Sequence, residues 1–266
     1  MNNRVKDYWQ HQAMIQENDA IDALRKVLDP ADVKGVKNSY IDAYLKFYLR
    51  ETLRPEKNDT LLEIGCGIGR LTEYMAQFVR ASYGTDIVDG FIDSCRASTQ
   101  KAENSFYLKS GELDKLKPLP INKAYIVWVL MYLLERVEIV DTLTRFREML
   151  PHLKSMVVLE QVKKQSQSES RGDAVSCYYR TIDEYLKIFR DSGFIIKGYV
   201  VMGERYHAPL YKIIHVLGNF LPKLLAKKSG DIFQFDRKMM PDNKAKAGLI
   251  NNRTPTDIAF CLEVTR

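Results

Sequence analysis

Apolar positions along this chain fall into two rhythms, and the points where one gives way to the other outline its elements. Short apolar runs at 61–64, 106–108, 124–130 and 156–160, with mixed runs at 82–86, 194–202 and 258–264, have the length and the β-branched and aromatic content of strands. The unbroken run at 124–130 suits a central parallel strand covered on both faces. Between these runs, 71–79, 88–99, 137–149 and 181–190 carry apolar residues at helical spacing. Strand and helix alternate, which predicts an α/β protein with about seven strands, a mostly parallel sheet, helices on both faces and an antiparallel final pair.

Three stretches stand outside that alternation. Residues 4–29 read as a helix with a broken apolar stripe (Val5, Trp9, Ile15, Ile21, Leu24) stopped by Pro30, and Asn38-Ser39 can cap a second helix that presents Ile41, Tyr44, Leu45, Tyr48 and Leu49. Residues 163–173 are polar and rich in Ser and Gln, which predicts a flexible loop or lid. Between the last two strands lie roughly 50 residues in which Leu210, Ile213, Leu217, Leu221 and Leu224 recur at helical spacing, with Pro222 expected to kink or split the helix. The organisation expected is a helical extension over 1–54, a core over 55–203 and 254–266, and an inserted segment over 204–253.

The first strand runs straight into candidate chemistry. In Leu62-Glu63-Ile64-Gly65-Cys66-Gly67-Ile68-Gly69-Arg70, three glycines at alternate positions separate the strand from a helix. Glycines permit positive φ and let a ligand lie against bare backbone, and the first free N–H groups of the helix face it. A dinucleotide fingerprint, G-x-G-x-x-G, would need its last glycine where Arg70 stands. An acid two residues before the turn repels a pyrophosphate and attracts an ammonium or sulfonium. Asp86 ends the second strand roughly 20 residues beyond the turn, the usual offset for a residue that holds ribose hydroxyls.

Together these features resemble motif I and the following acidic motif of class I S-adenosylmethionine-dependent methyltransferases. The resemblance implies a Rossmann-like seven-stranded sheet and S-adenosylmethionine as cofactor. It assigns Glu63 to the donor's amino end, Gly65, Gly67 and Gly69 with Arg70 to the turn beneath it, and Asp86 with Ile87 to the ribose. Glu112, between Gly111 and Leu113 after the third strand, is the match for the acid that holds the adenine amino group, and Val129 can wall the adenine or methionyl part. N-terminal additions such as 1–54 often cover the donor and help bind the acceptor in that family; plain packing on the sheet is the other reading.

Composition narrows the setting. The chain has 266 residues, 45% hydrophobic and 28% charged, as a soluble globular protein does. No apolar run is long enough for a membrane span and the start has no apolar leader core, so a cytoplasmic protein is expected. The four cysteines (Cys66, Cys95, Cys177, Cys261) are scattered, which points to reduced thiols and to no metal site. Of the formal +6 charge, all is carried between Gly203 and Arg253, where ten Lys/Arg face four Asp/Glu. That segment is read as a cap over the acceptor, as a helix packed on the core, or as a basic amphipathic face for peripheral membrane contact.

Methyl transfer needs in-line alignment, and an oxygen or amine acceptor must also lose a proton. Tyr132 and Glu160 fall at the carboxyl edge of the sheet and His207 begins the insertion, so these three are the candidates for orienting or deprotonating an acceptor. Tyr132, with an ordinary pKa near 10, suits an orienting role. The expected acceptor is a hydroxyl or amine of a small molecule or glycan, and the basic segment would suit an anionic one. Tyr8-Trp9, Gly67-Ile68-Gly69-Arg70, Trp128-Val129 and Arg180-Thr181 also resemble the α-N-terminal protein methyltransferases, in patches; Tyr132 and Glu160-Gln161 depart from that family at the acceptor side. An NAD-dependent oxidoreductase is disfavoured by Arg70 and Glu63. A nucleic-acid-binding module using the basic segment is the remaining alternative, and nucleic acid is not the expected partner.

Overall fold

Strand β1 (Thr60–Ile64) is buried along its whole length and lies inside the sheet, third of its seven strands. The computed structural model describes residues 3–15, 23–98, 101–171, 175–203, 210–211, 213, 222–239, 248 and 250–264. To one side of β1 lie β2 (Ala81–Asp86) and β3 (Ser105–Lys109); to the other lie β4 (Lys123–Val127) and β5 (Ser155–Val162), all parallel. A hairpin follows, β6 (Gln167–Arg171) with β7 (Val175–Tyr179). Then β8 (Ile195–Gly203) closes the edge of the main sheet, and β9 (Thr256–Glu263) runs antiparallel between β5 and β8. The order is β3-β2-β1-β4-β5-β9-β8, seven strands with only β9 reversed, a Rossmann-like arrangement.

Side-chain alternation distributes the core between two faces. Leu62, Ile64, Ala124, Ile126, Met156 and Val158 point to one side, where helices α5 (Arg136–Met149) and α6 (Ile182–Asp191) cover them. Leu61, Tyr125, Val127, Val157 and Leu159 point to the other, beneath α2 (Val36–Leu53) and α3 (Arg70–Ala76). The same alternation sends Glu63 to the α2 face and Glu160 to the α6 face. Helix α6 starts cleanly because Thr181 and Glu184 form a reciprocal capping box.

Several expectations change. The first helix, α1 (Asn3–Met14), gives way to a bend at Ile15, and a single turn is described at Leu24–Lys26; residues 16–22, with the predicted Ile21, lie outside the described residues. Helix α2 begins after Gly35, whose φ is 68°, not after an Asn38-Ser39 cap. Asn38 is instead buried and ties down the preceding loop, accepting the Asp29 N–H and donating to the Asp29 carbonyl. The polar stretch read as a loop over 163–173 contains strand β6, because β7 pairs with it and Cys177 and Tyr179 supply the buried side of the hairpin.

Helix α4 (Asp89–Ala97) follows β2, and α1 lies against it; a Cβ on Gly90 would meet Gln10 Nε2 at 3.1 Å and Ala13 Cβ at 3.3 Å. The inserted segment contributes α7 (Pro222–Met239), which packs along α2 as a second layer. Phe233 meets the rings of Tyr40, Tyr44, Phe47 and Tyr48 with centroids 5.5 to 6.4 Å apart, contacts of about 0.5–1.5 kcal/mol each beyond area burial. Buried Asp236 accepts the Tyr40 hydroxyl at 2.9 Å and the N–H groups of Leu210 and Tyr211. The outer face of α7 leaves Leu224, Phe235 and Met239 exposed beside Lys227, Lys228 and Lys238.

Candidate active site

The strand order reverses between β1 and β4, so their carboxyl ends diverge and leave a crevice, the place where open α/β sheets bind ligands. A cavity of about 400 Å³ occupies it. Its floor is the turn after β1. Gly65, Gly67 and Gly69 have φ of 82°, 52° and 76°, values that L side chains rarely adopt. A Cβ on Gly65 would stand 2.3 Å from Val129 Cγ2, and one on Gly67 would stand 2.8 Å from Val27 Cγ1. Gly69 plays a different part from its neighbours. It precedes α3 and abuts the Tyr107 ring, with 2.4 Å from its would-be Cβ to the hydroxyl, and it is not among the cavity-lining residues.

Two acids line the floor. Asp86 holds the turn itself: its Oδ2 accepts the Gly67 N–H at 2.8 Å and its Oδ1 accepts the Val88 N–H at 2.9 Å. Burial raises its pKa against the lowering effect of these donors. Glu63 is buried, and its Oε2 accepts the Thr72 and Tyr125 hydroxyls at 2.5 and 3.2 Å. Burial pushes its pKa up to about 7, against the Thr72 hydroxyl and the charge of Arg70. Arg70 also lines the cavity and pairs with Asp42 of α2 at 2.7 Å.

The opposite wall is the segment that leaves the sheet after β4. Trp128 takes φ 56°, a left-handed conformation uncommon for a bulky residue and found where surroundings over-determine the backbone. Its indole Nε1 donates to Asp257 Oδ1 at 3.2 Å. Asp257 is buried in β9 and also accepts from Gln161 Nε2 and the Tyr44 hydroxyl, both at 3.1 Å. Val129, Tyr132 and Leu133 continue the wall, and Trp9 of α1 meets the Tyr132 ring edge-on at 5.4 Å. The N-terminal helix thereby closes one side of the cavity.

The remaining predicted residues divide. Ile87, Leu113 and Val129 line the cavity, whereas Gly111 and Glu112 do not. Glu112 is turned to Arg96 and Lys115 and accepts the Lys109 N–H at 3.0 Å, which holds its carboxyl down at about 2. Its position gives no support to an adenine role; Ser110 and Leu113 are the residues of that loop that reach the cavity. Glu160 is fully buried beneath the wall, off the cavity, with Oε1 accepting the N–H groups of Val129 and Leu130 at 2.8 and 2.6 Å. That placement removes it as a base acting on an acceptor. His207 lies outside the described residues. The sequence reading missed Glu138, Thr142 and Arg145, which line the cavity from α5 at i, i+4 and i+7. That spacing on an otherwise apolar-striped helix was the available signal. Among the described residues no His, Cys, Asp and Glu cluster could hold a metal ion, and no helix is long and apolar enough to cross a membrane.

Comparison with known proteins agrees with this geometry. The methyltransferase domain family matches residues 62–156, which run from within β1 through the glycine turn to the start of β5. A stretch of 65 residues is 37% identical to a probable cobalt-precorrin-6B C(15)-methyltransferase (decarboxylating) of Archaeoglobus fulgidus; it covers 24% of this chain and 39% of that relative. Among solved structures, a SAM-dependent methyltransferase of Leishmania major superposes with a TM-score of 0.60 at 13% identity, over 98% of this chain and 82% of that one. The geranyl diphosphate C-methyltransferase of Streptomyces coelicolor, solved with Mg2+, geranyl diphosphate and S-adenosylhomocysteine, gives 0.57 at 14% identity over 99% and 98%. Magnesium protoporphyrin IX methyltransferase of Synechocystis, with bound S-adenosylhomocysteine, gives 0.53 at 12% over 99% and 96%. At these identities the structural likenesses establish the fold.

Proposed function

We propose that this chain, a member of the class I S-adenosylmethionine-dependent methyltransferase superfamily, moves a methyl group from S-adenosylmethionine to a hydroxyl or amine of a small-molecule or glycan acceptor. The observation that carries the reading is the cradle at the β1–β4 divergence. Positive-φ Gly65 and Gly67, against which Val129 and Val27 pack too closely for a Cβ, line the cavity with bare backbone beside two carboxylates.

The residues present fit the donor. Asp86 keeps lone pairs beyond those taken by the turn, so it can accept from vicinal ribose hydroxyls. Glu63, at the cavity floor, presents negative charge to an ammonium when ionised, and a cation there favours its ionised form. Bare backbone at Gly65 and Gly67 admits close approach, and Ile87, Leu113 and Val129 give apolar walls for a purine. When bound, the donor supplies an electrophilic methyl on a sulfonium. The chain's own residues do the rest: they orient the nucleophile and exclude water.

The side bounded by Trp9, Trp128 and Tyr132 is the acceptor side in this reading. α1 narrows it, which favours a compact acceptor over a long peptide, and Tyr132, which lines that side, is the residue assigned to orient a polar one. Calorimetry with S-adenosylmethionine and with NAD tests the donor assignment: binding of NAD alone would overturn it. Label transfer from methyl-labelled donor to pools of small hydroxylated or amine compounds, glycans and peptides tests the acceptor class. Incorporation confined to peptide N-termini would replace the small-molecule reading.

A further inference from the structure

The cavity wall at 129–134 contains a single helical turn, Leu130–Tyr132, too short to hold itself in place. Its backbone is gripped from both ends by buried charged side chains of other elements. At the start, Glu160 Oε1 of β5 accepts the Val129 and Leu130 N–H groups at 2.8 and 2.6 Å. At the end, Arg180, buried between β7 and α6, donates from Nη2 to the Leu133 and Leu134 carbonyls at 2.8 and 2.7 Å, and its Nη1 reaches back to the Leu130 carbonyl at 3.3 Å. An anion at exposed N–H groups and a cation at exposed carbonyls each match the sign of a helix terminus. The Arg180 guanidinium is itself fixed over the Tyr178 ring, 4.8 Å from its centroid.

This turn sets the cavity's width. Val129 stands against Gly65 so closely that no Cβ fits there, and Tyr132 and Leu133 line the space beyond. We infer that Glu160 and Arg180 are positioning residues, a two-ended clamp that preforms the wall of the donor cradle by holding the 129–134 backbone. The inference rests on the donor assignment above. It separates Glu160 from any direct part in the chemistry and gives a reason for a carboxylate in the core. A neutral side chain would leave Val129 and Leu130 with weaker acceptors, and none would leave them with an orphaned buried donor each.

Titration supplies a readout that general destabilisation does not. Burial raises Glu160 to about 7, against the two N–H donors and the charge of Arg180. The charged and titratable groups that act on it among the described residues are Arg180 and Tyr185, the latter on α6. Below that pH the wild-type side chain is itself neutral and resembles a glutamine.

The test is S-adenosylhomocysteine binding by calorimetry, from about pH 5.5 to about pH 8, for the wild type, Glu160→Gln and Arg180→Lys. Ile188→Ala serves as a control that loosens the same core while removing apolar packing only and no hydrogen bond to the turn. The expected result is about tenfold weaker binding by Glu160→Gln at the alkaline end, a gap that closes toward the acid end, weaker binding by Arg180→Lys, and unchanged affinity in the control. Should Glu160→Gln fail to fold, the Arg180→Lys comparison carries the test. Wild-type affinity in the folded variants, or an equal loss in the control, overturns the clamp. A wild type that binds no S-adenosylhomocysteine overturns the donor assignment instead.

Discussion

Glu63 and Glu160 lie on opposite faces of the sheet, and burial raises both from 4.5 to about 7. Each such rise corresponds to about 3 kcal/mol of preference for the neutral form in the folded chain. Between the two values the folded protein retains protons that the unfolded chain has released. The stability these groups give is therefore fully present below about pH 4.5 and is lost as pH rises through about 7. Asp59 and Glu112, whose pKa values are lowered, act in the other direction, but their contribution is lost only as pH falls below the ordinary carboxylate range. Urea unfolding at intervals from about pH 5 to about pH 8 should thus show a falling midpoint, by an amount that Glu63→Gln and Glu160→Gln each reduce. Stability that stays level or rises across this window, with both carboxylates intact, would refute the account of these two groups as desolvated acids.

Other expectations follow from the same geometry. Asp86→Ala should weaken S-adenosylmethionine binding by roughly ten- to a hundredfold in calorimetry, from the loss of charge-assisted hydrogen bonds; unchanged affinity would remove Asp86 from the site. Gly65→Ala combines left-handed strain of about 1–2 kcal/mol with overlap on Val129, so both melting temperature and donor affinity should drop. If Glu63 meets the donor's ammonium, binding near neutral pH should release protons, seen as a dependence of calorimetric heat on buffer ionisation enthalpy. Phe233→Ala should destabilise the chain by about 3–5 kcal/mol in thermal or urea unfolding, since four α2 rings lose their shared partner.

The sheet and its cradle were legible because each rests on local signals. Alternation fixed the faces, and the Glu63-to-Arg70 stretch shows its glycines and acid directly. Features that depend on a distant partner were not. Gln167–Arg171 is a strand only because β7 covers it. Glu112 has the right position in sequence, yet Arg96 and Lys115 hold it to the surface. Glu160 looks like a catalytic carboxylate until the backbone of the 129–134 turn is folded over it. Asp257 is one polar residue in an apolar strand, and its three hydrogen-bonding partners come from sequence positions 96 to 213 residues away.

That last residue has a wider consequence. Asp257 joins the Trp128 indole to the Tyr44 hydroxyl, and Tyr44 is one of the rings against which Phe233 of the inserted helix rests. The appendage and the cavity are therefore in mechanical series, linked by one aromatic stack and one shared acid. Sequence drift on the far side of α2 has a route to the tilt of an indole in the cavity wall, so the shape of that space can be retuned without altering any residue that lines it.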